Sequence, residues 1–116
     1  MSNLVVSNIS DGSTSVGTGY VVNGSAKAWC YLNGSGTIAV VSSLNTSSLT
    51  DNGTGDYKIN VTNAFSSEPA HFGLGGNVSY WAANTTGSEI RISITNTSGV
   101  LTDTNRVTGA GFGDLA

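Results

Sequence analysis

One cysteine, one histidine, one proline and four basic residues are all that this 116-residue chain contains of those types. Each shortage removes a class of function. Cys30 has no partner for an intrachain disulfide, and with His71 the only histidine a Cys/His metal site is out of reach. The expectation is a protein without metal or other cofactor, with Cys30 as a small buried hydrophobe. Lys27, Lys58, Arg91 and Arg106 are scattered, and the net charge is −3. Nucleic-acid binding needs clustered Lys and Arg, so none is expected. Charged residues make up 9% of the chain, against about 25% in ordinary soluble domains. No apolar run approaches the roughly 20 residues of a membrane helix, so membrane insertion is not expected either. The opening residues lack the basic region and sustained apolar core of a secretory signal, which predicts synthesis in a cytoplasm and action without the usual secretory route.

What fills the chain instead is small and polar. Gly supplies 16 residues, and Ser, Thr and Asn supply 17, 14 and 12. Disorder normally combines low hydrophobicity with high net charge, whereas here 38% of residues are hydrophobic and fall in strand-like runs. The length fits one domain. Helix signals are nearly absent, because no apolar stripe of period 3.6 is present and Gly recurs too often.

Short alternating segments separated by Gly and Asn clusters predict about eight antiparallel strands. These are residues 4–9, 20–22, 26–32, 37–43, 56–63, 78–83, 89–95 and 105–112. Residues 10–19 read as a flexible run, 45–48 as a loosened stretch, and 65–76, holding the only proline, as a loop. The reading is an all-β, antiparallel β-sandwich of jelly-roll type, with residues 1–22 as an N-terminal arm and 23–116 as the sandwich domain.

Candidate chemistry is thin. A Ser–His–Asp triad would have to use His71, and no nucleophile turn of the Gly-x-Ser-x-Gly kind is present. Five of the seven acids, Asp11, Asp51, Asp56, Asp103 and Asp114, stand in turn-like contexts where Asp caps backbone N–H groups. No pair of carboxylates suggests acid–base work, so the chain does not read as an enzyme. Asp51-Asn52-Gly53-Thr54-Gly55-Asp56 looks superficially like a calcium loop but lacks the alternating acids and terminal Glu of an EF-hand. It reads as a turn opening a strand in which Tyr57, Ile59 and Val61 face one way. Nine Asn-x-Ser/Thr sequons follow from composition and are discounted as glycosylation sites.

Trp29 and Tyr31 alternate with Ala28, Cys30 and Leu32, so the strand over 26–32 is apolar on both faces. One face is expected in the core and the other against a neighbouring chain. With Tyr80 and Trp81 these aromatics are candidates for core and subunit-interface packing, favoured over a carbohydrate-stacking platform because Trp29 and Tyr31 lie mid-strand. Leu4, Val5, Val6 and Ile9 are the candidate attachment residues of the arm, and His71 and Phe72 the candidate exposed recognition loop.

Several segments resemble a module of tail-fibre and other virion proteins of tailed bacteriophages. They are Val22-Asn23-Gly24-Ser25-Ala26-Lys27-Ala28-Trp29, Leu32-Asn33-Gly34-Ser35-Gly36-Thr37-Ile38, Ser48-Leu49-Thr50-Asp51-Asn52-Gly53-Thr54-Gly55-Asp56-Tyr57 and Phe112-Gly113-Asp114. The similarity runs from about residue 22 to 114 and is dense from 22 to 65. It implies a homotrimeric β-structured component of the virion surface, made in the bacterial host. Only about twenty residues precede the module, whereas tail-fibre proteins usually carry a long attachment region. That favours a capsid decoration protein or small head spike, partnered by itself and by the major capsid protein or a tail component. The alternative implied is a tail-fibre or tailspike tip that binds a host cell-surface glycan.

Overall fold

In the computed structural model of the chain, residues 1–75, 79–82 and 86–116 are described, the side chains of 71–82 excepted. The described chain is all-β with one short helix, and its strands form three antiparallel sheets. A hairpin of β1 (Asn8–Ser10) and β2 (Ser15–Gly17) comes first, followed by helix α1 (Thr18–Gly24). Two four-stranded sheets make a sandwich-like body. One has the order β4 (Ala39–Leu44), β3 (Ala26–Asn33), β10 (Val107–Phe112) and β7 (Ala70–Gly75). The other has the order β5 (Thr46–Gly53), β6 (Asp56–Val61), β9 (Glu89–Thr95) and β8 (Ser79–Ala82).

The core follows the period of two. Tyr57 and Ile59 from β6, Ile90, Ile92 and Ile94 from β9, Ala28, Cys30 and Leu32 from β3, and Val107 are buried, with Phe65 beside them. Branched side chains suit such a pleated surface, and each fully buried Ile contributes about 1.5–3 kcal/mol. The close approach of the sheets has a local cause at Gly109, where a Cβ would run into the δ-methyl groups of Ile92 and Ile59.

Five local expectations change. Residues 20–22, read as a strand, belong to α1, because Gly17, with extended backbone at the N-cap, lets the chain turn into a helix just after β2. The flexible run 10–19 is largely ordered as the β1–β2 hairpin, its turn held by Asp11 Oδ1, which accepts from the N–H groups of Ser13 (2.9 Å) and Thr14 (2.8 Å). Of the first strand predicted over 4–9 only residues 8 and 9 are paired, and Ser10 joins them.

The loosened stretch after Asn45 is β5. Asn45 itself, at φ 55°, is where the chain leaves one sheet for the other. Asn tolerates that left-handed conformation, and its side chain fixes the crossing. Its Oδ1 accepts from the Asn63 N–H (2.7 Å), and its Nδ2 donates to the Asn63 carbonyl (3.0 Å). Finally, the loop expected over 65–76 contains β7, which pairs with β10.

Candidate functional site

Two surfaces carry the residues singled out from the sequence. The first is the N-terminal unit. Leu4, Val5, Val6 and Ile9 are 82%, 91%, 40% and 45% exposed. With Thr18, Val21 and Val22 they line an open apolar groove between the leading segment and α1. Thr18 holds the leading segment in place: its N–H donates to the Ser7 carbonyl (2.9 Å) and its hydroxyl to the Val6 carbonyl (2.8 Å). At the other end of α1, Lys27 Nζ donates to the Val22 carbonyl and to that of Ser25 (2.8 Å). A cation at a helix C-terminus is favourable there. No residue of α1 is buried. Val21 and Val22 were missed as part of this surface because their β-branched side chains read as strand.

The second surface is the outer face and free edge of the β4-containing sheet. Ala28, Cys30 and Leu32 point into the core, and burial pushes the Cys30 thiol up to about 11. Trp29 and Tyr31 therefore lie on the opposite face. Trp29 is 37% exposed and Tyr31 half-buried, which corrects the core reading of these two rings and leaves the neighbouring-chain reading open. Trp29 pairs with Leu44 and Tyr31 with Ser42 on β4, whose six residues are all exposed. Val40, Val41 and Leu44 of that strand were not picked out from the sequence. The signal available was the lack of any charged residue between Lys27 and Asp51.

His71 and Phe72 lie on β7, as register partners of Gly111 and Ala110, and not on a loop. Tyr80 and Trp81 lie on β8, opposite Ile94 and Ser93. The side chains of these four residues are outside the described set.

Four acids of the body are engaged structurally. Asp51 Oδ1 accepts from the Gly53 N–H (2.9 Å), as a turn cap does. Asp56 takes both Arg91 Nε (2.9 Å) and Arg91 Nη2, and the Arg91 hydrogen bonds hold its carboxyl below the usual range. Lys58 pairs with Glu89 at 2.9 Å. Asp103 Oδ1 accepts from the Gly55 N–H (2.8 Å) and from the buried Tyr57 hydroxyl (2.9 Å). Among the described residues no three His, Cys, Asp or Glu groups stand together as metal ligands. No helix among them is long and apolar enough to cross a membrane.

No protein-family model matches the chain, and no curated protein and no solved structure matches it.

Proposed function

We propose that the protein is a structural component of a tailed-bacteriophage particle, a homotrimeric capsid decoration or head spike protein exposed on the virion surface. In this reading the two-sheet body projects and the N-terminal unit attaches it to the major capsid protein. Its role is architectural and not catalytic. The observation that carries the reading is a division within the chain: a body with a continuous buried core, preceded by an N-terminal unit whose large apolar residues are exposed. Exposed apolar surface of this kind marks interaction sites. The resemblance over residues 22–114 supplies the particle.

Within this reading the body is of jelly-roll type. Support comes from one Greek-key connection, in which β7, β8 and β9 are followed by β10 returning beside β7. The in-sheet hairpins β3–β4 and β5–β6 give the other half of the body a simpler meander.

Immunogold labelling of intact particles with antibody to this chain tests the proposal. Label over the heads is the expected result, and label confined to tails overturns it.

A second reading, a tail-fibre tip that binds a host surface glycan, is favoured by the exposure of Trp29 on an outer sheet face, since aromatic rings stack on sugar faces. It predicts that purified protein binds host cells and competes with phage adsorption. Absence of binding at micromolar concentration counts against it.

A further inference from the structure

Among the described residues the body has a free edge. β4 is the outermost strand of its sheet, and all six residues are exposed, with Val40 43%, Val41 57% and Leu44 48% accessible. Natural sheets blunt such edges with Lys, Pro or inward-pointing charge, because an unpaired strand templates further pairing. Here no charged residue and no proline occur from residue 28 to residue 50. The edge carries one irregularity, a register shift that leaves Val41 between the partners of Tyr31 and Leu32, and is otherwise without such protection.

The same chain also carries an apolar segment outside any sheet, tied to Thr18 at the Val6 and Ser7 carbonyls. Residues 1–7 precede the first paired residue, Asn8, and include three consecutive apolar side chains, Leu4, Val5 and Val6. Both segments are uncharged: from residue 1 to residue 26 the only charged side chain is Asp11. Two copies can therefore meet here without like-charge repulsion, despite a net charge of −3 on each. The molecule is also extended, 48 × 29 × 23 Å with a radius of gyration of 16.3 Å, against about 13 Å for a compact chain of this length. The N-terminal unit, with no buried residue, reaches outward.

We propose that copies of this chain assemble through a heterologous contact in which residues 1–7 of one copy add as a fifth strand to the β4 edge of the next. Backbone hydrogen bonds supply affinity in such strand addition, and the alternating side chains supply register. A heterologous contact closes into a ring when its rotation permits, so three copies each give one segment and accept one. Successive side chains of an added strand face opposite sides, so one of Leu4 and Val5 covers Leu44 and the exposed side of Trp29, which share the outer face. The proposal rests on the trimeric part of the function proposed above; it takes Leu4 and Val5 for the contact between copies and leaves Ile9, Val21 and Val22 of the N-terminal unit for the capsid.

Two full-length variants test it. Leu4→Lys/Val5→Lys charges the donated segment, and Val41→Lys charges the accepting edge. All three positions are exposed in the single chain, so native circular dichroism is expected to persist. By light scattering the wild type should show three times the chain mass of 11.7 kDa, and each variant alone should be monomeric. Mixed together, the variants should give a dimer, because each retains the half that the other has lost. A wild-type trimer untouched by both variants overturns this contact and leaves the trimer standing. A monomeric wild type overturns both. Variants that fail to recover on mixing overturn strand donation between different surfaces. Hydrogen exchange on the unmodified protein gives an independent reading. The amides of residues 4–6 and 39–44 should gain protection together with oligomer formation, and free exchange of β4 amides in the oligomer contradicts the proposal.

Discussion

The Tyr57 hydroxyl donates to the Asp103 carboxylate at 2.9 Å, with the Gly34 carbonyl as a second acceptor at 3.0 Å. Tyr57 is fully buried and Gly34 is packed against it, so closely that a Cβ on Gly34 would overlap the phenol oxygen. Gly34 also donates its N–H to the Thr104 carbonyl (2.9 Å). One ring thus ties the turn after β3, the start of β6 and the loop before β10.

Substitutions at this junction should act through stability. Tyr57→Phe removes the donor and leaves Asp103 its bond from Gly55, at an expected cost of about 1–2 kcal/mol. Gly34→Ala overpacks the same point and should cost about 1–3 kcal/mol. Urea unfolding midpoints measure both, and two midpoints equal to that of the wild type would show the junction to be dispensable.

Tyr57 also sets an alkaline limit. Burial first, and the Asp103 carboxylate second, raise its hydroxyl far above the ordinary tyrosine value. A group whose acid form is favoured by folding contributes stability that is complete below its unfolded pKa, about 10. That stability is lost as pH rises through the folded value. Absorbance at about 295 nm should therefore show Tyr57 resisting ionisation until the protein unfolds, and Tyr57→Phe should remove that late step.

Asp56 works in the opposite direction. Its carboxyl is held low chiefly by the Arg91 hydrogen bonds, so the stabilisation is present above the unfolded carboxylate value, about 3.9, and is lost as pH falls through the folded one. Because the pair is partly exposed, at 35% and 14% of the two side chains, the effect is modest, about 1 kcal/mol or less. Asp56→Asn should flatten the acid limb of stability against pH below about 4, and an unchanged limb would show the pair to be inert.

Cys30 should be silent to thiol reagents in the folded protein. It is 1% exposed, and burial raises its thiol to about 11, while the thiolate is the reactive form. Alkylation should appear only as the chain unfolds in urea. Rapid labelling under native conditions would place Cys30 nearer the surface than the β3–β10 pairing puts it.

Much of this body is legible in the sequence because period-two alternation has one physical meaning. The strands around Tyr57-Ile59 and Ile90-Ile92-Ile94 follow directly from it, as does the turn built on Asp51 and Gly53. Alternation says less about Trp29 and Tyr31, where both sides of the strand are apolar and only the packing of Ala28, Cys30 and Leu32 against the second sheet decides which faces inward. Val21 and Val22 are strand formers by propensity and helical through their setting, fastened by Ser25 and Lys27 to the start of β3. Asn45 escaped notice because a left-handed pivot leaves no pattern longer than itself. The exposure of Val41 depends on which strand ends up at the sheet edge, a property of topology that no local window contains.

Cryo-electron microscopy of the intact phage particle, with copy number measured by quantitative mass spectrometry, tests the central claim most directly. The account predicts three-fold density for this chain at regular lattice positions on the head, in copy numbers divisible by three at each site. Density confined to the tail, or single copies on the head, would contradict it.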